Sequence, residues 1–191
     1  VVCVSATACD DELLRTGGVV DNCDPFVQLA SEHVHVTSWL TRRQAVTVTA
    51  QTTRSFRHSM DDGAVATVVL RGNIPCTYVA SRLTNARGFA IHGTNGGVRI
   101  ADDRIWLSRQ RPYQGDVFDY VTPGIEQVLS RRDLLDAITK HRAGCELHGR
   151  FARWLEDVDD YPCPIEQAVL DVEAIDAMSR AARDGCMINL A

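Results

Sequence analysis

The sequence predicts an α+β fold: a strand-rich, mostly antiparallel sheet or partial barrel over residues 1–121, followed by a C-terminal helical cap over residues 122–191 of the same domain. Three observations predict it. Up to about residue 121, short β-branched runs are broken by Gly, Asp and Asn, the pattern of strands and turns. Beyond it, apolar residues recur three and four apart, which is helical spacing. The charge divides at the same place. Residues 1–121 hold twelve Arg against twelve Asp and Glu, whereas residues 122–191 hold eight basic and thirteen acidic residues. Strands followed by helices argue for segregated layers.

Element by element, Val1–Ala8 (VVCVSATA) alternates and reads as a strand. Asp10-Asp11-Glu12 can cap a short helix that Gly17-Gly18 ends. Asp24-Pro25 supplies an N-cap and first helical residue for a second helix to about Glu32. Val34–Trp39 and Ala45–Thr53 read as strands, the latter alternating Val with Thr. Asp61-Asp62-Gly63 is a turn, and Ala64–Leu70 is the most apolar strand, expected at the centre of the sheet. Cys76–Ala80, Phe89–His92, Val98–Ala101 and Arg104–Ser108 follow, the last two joined by Asp102-Asp103 as a two-residue hairpin loop. Asp116–Val121 is a final candidate strand.

Thr122-Pro123 opens the helical half, and Ser130 with Asp133 resembles a capping box. Leu147, Phe151, Trp154 and Val158 share a helical face. Pro162-Cys163-Pro164 breaks the chain before the clearest helix, in which Ile165, Val169, Val172, Ile175, Met178 and Ala182 form the expected buried stripe and Gly185 the stop.

The chain has 191 residues, 45% of them hydrophobic and 24% charged. That supports one core without staples and excludes disorder as the default. A net charge of −5 argues against a dedicated nucleic-acid binder. No run of eighteen apolar residues occurs, so no membrane span is expected. Seven cysteines, an odd number without a CxxC pair, read as free thiols and favour an intracellular location. Lys140 stands alone beside nineteen Arg, which fits either GC-rich coding or selection for planar bidentate contacts. The start at Val1 reads as processed or trimmed.

Five groups of residues carry chemistry. In Ile91-His92-Gly93-Thr94-Asn95 a histidine at a strand end precedes a glycine that lets backbone approach a ligand. This segment resembles the first motif of the histidine-type ADP-ribosyltransferases. The resemblance implies that His92 and Thr94 grip the nicotinamide side of NAD, with Glu126 the candidate acidic residue. The same residues resemble the His motif of the L,D-transpeptidases, whose Ser-His-Gly-Cys nucleophile segment this chain lacks.

His141, Cys145 and His148, spaced four and three, would share a helix face. Imidazole and thiolate suit zinc, with Cys163 as a fourth ligand. His33 and His35, two apart on an expected strand, would share a face as barrel metal ligands do. Arg82, Arg87, Arg99, Arg104, Arg109 and Arg111, with Trp106 and Tyr113, form an arginine-rich rim. Arg99, Arg104, Arg109 and Arg111 are the expected contacts to an acidic or phosphate-bearing ligand. Glu156-Asp157-Val158-Asp159-Asp160 is an acidic run suited to docking a basic partner.

No Walker A, Gly-x-Gly-x-x-Gly or Gly-x-Ser-x-Gly motif occurs. Gly93–Gly97 leads into a strand rather than the helix N-terminus that makes such loops phosphate sites. With no complete catalytic set, the sequence favours a protein–protein interaction or assembly module with a protein partner, a domain of a larger viral or bacterial complex. The alternative is an NAD-dependent enzyme like the ADP-ribosyltransferases, using His92 and Thr94.

Overall fold

A computed structural model describes residues 1–9, 24–54, 61–101, 104–109, 126–130, 152–156 and 164–190. The strands are β1 (Cys3–Cys9), β2 (Ala45–Thr53), β3 (Gly63–Leu70), β4 (Ile74–Ser81), β5 (Arg87–Gly93), β6 (Gly96–Ala101), β7 (Arg104–Arg109), β8 (Glu126–Ser130) and β9 (Ile188–Asn189). They form one open sheet in the order β8-β7-β6-β5-β1-β4-β3-β2-β9. The β1–β4 pair is parallel; the other described pairs are antiparallel. The sheet is open rather than barrelled, with β8 and β9 as its edges.

The central strand is β1, with four strands on each side, and not the apolar β3. Composition misleads here because β3 is buried on alternate residues only. Ala64, Ala66, Val68 and Leu70 are covered, whereas Val65 and Thr67 are exposed. The β6–β7 hairpin closes as expected, with Ala101 opposite Arg104.

Val34–Trp39, expected as a strand, belongs to helix α1 (Ser31–Thr41), which continues from a π-helical turn at Phe26–Ala30. Asp24 caps the start, its Oδ1 accepting the Phe26 N–H at 2.7 Å. Val34, Thr37 and Ser38 are buried at i, i+3 and i+4, so tertiary packing overrides the β-branched preference. Thr37 and Thr41 hydroxyls donate to the carbonyls four residues back, at 2.7 Å each, and so are satisfied within the helix.

Helix α2 (Ile165–Asp184) ends as expected. Gly185 takes φ 63° and its N–H reaches the Ala181 carbonyl at 3.0 Å, the left-handed cap that favours glycine. Both helices cover one face of the sheet, α2 lying along β2 and against α1. Phe26, Ala30 and Val34 join Ala174, Ile175, Ala177, Met178 and Ala181 over Val4, Ala6, Val48, Ala66, Val68 and Tyr78. Alanines on both layers let helix and sheet approach closely. Full burial of Ile175 or Met178 is worth about 1.5–3 kcal/mol each.

Two expectations change in this half. The buried stripe of α2 is Asp171, Ala174, Ile175, Ala177, Met178 and Ala181, rotated from the expected one, so that Ile165, Val169 and Val172 stand exposed. Residues 126–130 form an edge strand paired to β7, where a helix was expected after Thr122-Pro123. Cross-strand pairing of Val128 with Trp106 and of Leu129 with Ile105 supplies partners that local helical signals cannot anticipate. No helix among the described residues is long and apolar enough to cross a membrane.

Candidate functional site

The segment around His92 lies at one end of the sheet. Pairing places Cys3, His92, Gly97, Ser108 and Glu126 in one row across β1, β5, β6, β7 and β8. Thr94 and Asn95 turn the chain between Gly93 and Gly96, and His92 and Thr94 are exposed. Gly97 opens a notch in the row. A Cβ there would lie 2.9 Å from the Ile91 carbonyl oxygen and 3.4 Å from both His92 Nδ1 and Ser108 Oγ. Glu126 stands three strands from His92, a backbone separation of about 14 Å at the usual strand spacing. The register brings Ser108, not Glu126, to the histidine's side of the notch.

On the face opposite the helices, Arg99 and Trp106 are directly paired, with the guanidinium 4.7 Å from the ring centroid. Arg104, two residues before Trp106, is exposed on the same face. Such stacking holds a guanidinium in a fixed plane. The backbone of Arg109 pairs with Gly96. Arg82, read as part of this rim, is instead fully buried, its N–H donating to the carbonyl of buried Asp62 at 2.9 Å. Arg111 lies outside the described residues, as do His141, Cys145, His148 and Cys163 of the zinc reading. Among the described residues no cluster of three or more metal-ligating side chains occurs.

A third group, missed in the sequence, sits between the helices and the sheet. His35 Nδ1 donates to Asp171 Oδ2 at 2.7 Å, and Gln167 Nε2 donates to Asp171 Oδ1 at 2.9 Å. Both carboxylate oxygens are thus occupied inside the helix layer, as a buried charge requires. The expected sharing of a face by His33 and His35 fails because residues two apart on a helix point to different sides. His33 turns to Phe89, with ring centroids 5.9 Å apart. Beneath them, Tyr78 is within hydrogen-bond reach of Thr37 and Cys76. Burial, above all, pushes the Tyr78 hydroxyl far above its ordinary range and the Cys76 thiol up to about 12. Burial thus keeps both groups protonated near neutrality and holds Cys76 out of its reactive thiolate form. This cluster is a clasp for helices rather than a reactive centre. The remote pairing of residues 35 and 171 has no local signal in the sequence.

No family model and no curated protein matches this chain. Solved structures do. The chain resembles the WlbA dehydrogenase from Bordetella pertussis, solved with NADH and UDP-GlcNAcA, at TM-score 0.71 and 18% identity, covering 99% of this chain and 56% of that one. It resembles myo-inositol 2-dehydrogenase from Lactobacillus plantarum at TM-score 0.66 and 13% identity, covering 100% and 57%. The UDP-N-acetylglucosamine 3-dehydrogenase GnnA from Acidithiobacillus ferrooxidans matches at TM-score 0.64 and 15% identity, covering 95% and 54%. The chain therefore spans about half the length of the structures it matches.

These matches overturn the two functions expected from the sequence. The neighbours are oxidoreductases, not assembly modules, and not ADP-ribosyltransferases. The His-Gly-Thr resemblance misled because a histidine before a glycine turn recurs at many strand ends. Over nearly its whole length the chain has the α+β fold, a large and mostly antiparallel sheet backed by helices, of about half of an oxidoreductase chain.

Proposed function

We propose that this chain is the sheet half of an NAD-dependent oxidoreductase of the Gfo/Idh/MocA kind, acting on a polyhydroxylated substrate. The observation that carries the reading is the match to the WlbA dehydrogenase over 99% of this chain. Of the three neighbours described above, one is bound to UDP-GlcNAcA and the other two are named as dehydrogenases of UDP-N-acetylglucosamine and of myo-inositol, all ring polyols.

The described residues do not fit a dinucleotide site. Such a site uses a parallel sheet and a Gly-x-Gly-x-x-Gly turn running into a helix. Here the sheet is mostly antiparallel, and Gly93–Gly97 runs into β6. The nucleotide is accordingly assigned to a separate α/β domain, and this chain to scaffold and substrate side. A specific observation supports an anionic ligand on the open face. Arg99, held flat on Trp106, has Arg104 on the same face at a diagonal position, about 7 Å between backbones. That arrangement suits the phosphate of a nucleotide sugar or another acidic group.

The test is nicotinamide reduction by the natural protein that carries this sequence, assayed with inositols and UDP-amino sugars. Turnover with one of these classes is expected, together with failure of the 191-residue chain to bind NAD alone. A natural protein that neither binds NAD in calorimetry nor reduces it with any polyol would sink the proposal.

A further inference from the structure

We infer, independently of the oxidoreductase reading, that the open edge of β2 from Ala50 to Thr52 pairs with the same edge of a second copy of this chain. β9 covers β2 only at Thr47 and Val48, and Leu190 N–H donates to the Val46 carbonyl at 2.8 Å. Beyond Val48, β2 has no strand on that side among the described residues. The direction of its backbone groups follows from parity. The Thr53 carbonyl points towards β3 and accepts the Asp62 N–H at 2.9 Å. Register with β3 is unbroken from Thr47 to Thr53, and bonding direction alternates along a strand. Thr49 and Gln51 therefore bond to β3, whereas Ala50 and Thr52 aim their N–H and C=O groups away from the sheet. No backbone bond to these outward groups occurs among the described residues.

The occupant follows from the strand itself. Natural sheets guard an open edge with lysine, proline, an inward charge or a bulge. Ala45–Thr53 (AVTVTAQTT) carries no charge, Pro or Gly, and its register shift at Ala45–Thr47 lies on the part that β9 already covers. The uncovered part is self-complementary. A two-fold axis through Gln51 sets Ala50 against Thr52 of the second copy and Thr52 against its Ala50. Both are then hydrogen-bonded pairs, and every outward group finds a partner. Gln51 meets Gln51, and Thr49 meets Thr53, pairs of like polar side chains that stabilise a sheet. With no charge in the strand, nothing opposes the approach, and a partner selected by charge would find nothing to read. Beside the edge, a groove of about 580 Å³ lined by Thr49, Gln51, Thr52, Cys186 and Met187 leaves room for the incoming strand where the chain passes from α2 to β9. A contact this short is small, so the pairing is weak and depends on concentration.

The test uses the natural protein that carries this sequence, so that any other contact between copies is present in every arm. Gln51→Cys is made in a Cys186→Ser background, which removes the neighbouring exposed thiol. It sets two thiols across the axis at a non-hydrogen-bonded pair, about 4.5 Å between Cα atoms, within disulfide range. Mild oxidation is expected to link two copies through position 51. Thr67→Cys, exposed on the same face but one strand further in, would stand about 14 Å from its counterpart and is expected to stay unlinked. In the unaltered protein, hydrogen exchange at the Ala50 and Thr52 amides is expected to slow as concentration rises, while the Gln51 amide is protected throughout. Gln51→Lys opposes like charges on the axis and is expected to abolish that concentration dependence, with melting unchanged because Gln51 is exposed. Linkage at position 67 equal to that at position 51 overturns the pairing. So do Ala50 and Thr52 amides that exchange alike at every concentration, whether or not the protein reduces NAD. Unfolding of Gln51→Lys overturns it as well, by assigning that side chain to the core.

Discussion

His35 on α1 and Asp171 on α2 meet at 2.7 Å, a ring 37% exposed against a carboxylate 7% exposed. The pair joins segments far apart in sequence, and it is asymmetric. Removing His35 strips a donor from a buried carboxylate, whereas removing Asp171 leaves a ring that water can reach. His35→Ala is expected to cost about 2 kcal/mol, and Asp171→Asn about half of that, since the amide keeps the shape and one acceptor. Urea melts of both variants check the order. A His35→Ala chain as stable as the wild type would show that the clasp carries nothing.

Alkaline pH should loosen the core. The Cys76 thiol has an ordinary value of 9.0 and is raised to about 12 in the folded chain, chiefly by burial. A raised folded value means that the stabilisation is complete below about pH 9 and is lost as pH climbs towards 12. Tyr78 shifts in the same direction and adds to the loss. Unfolding free energy measured across this window is expected to fall, and Cys76→Ala to flatten part of the fall. A stability profile flat up to pH 12 would contradict the burial of both groups.

Thiol labelling should separate the cysteines by position. Cys186 is exposed, whereas Cys9 and Cys76 are buried. With iodoacetamide at mildly alkaline pH, peptide mass spectrometry is expected to find Cys186 modified before Cys9 and Cys76. Cys76 should react only after denaturant is added.

Two truncations on the same helix should differ sharply. Met178 is fully buried under the sheet, and Met178→Ala is expected to cost about 3 kcal/mol. Val172 is 63% exposed, and Val172→Ala in the chain alone should stay within about 0.5 kcal/mol. Comparable losses in chemical denaturation would mean that the buried face of α2 is wrongly placed.

Gly185→Ala should cost about 1 kcal/mol. The residue holds φ 63° with open space around the missing Cβ, so the loss comes from backbone strain rather than collision. A thermal melt indistinguishable from wild type would deny the left-handed cap.

The sequence by itself determined the alternation of the strands, the α+β character and the C-terminal helix with its glycine stop, while the closure or openness of the sheet was left to the pairing of its edges. Each of those is written in neighbouring residues, as in Gly63–Leu70 or at Gly185. Only the tertiary structure decided the rest. Val34–Trp39 has strand-like residues, yet three of its side chains are buried with helical spacing against the core. The rotation of α2 about its axis was settled by which face met the sheet, since an apolar residue at Val169 is equally at home in a core or under a partner. The row that runs from His92 to Glu126 is a matter of register among strands separated by many residues, and register depends on pairings no local window contains. The same physics hid the likeness of fold. No side chain of the described sheet carries a signature of hydride chemistry, and the likeness to oxidoreductases lies in the path of the backbone, which sequences below one-fifth identity no longer reveal.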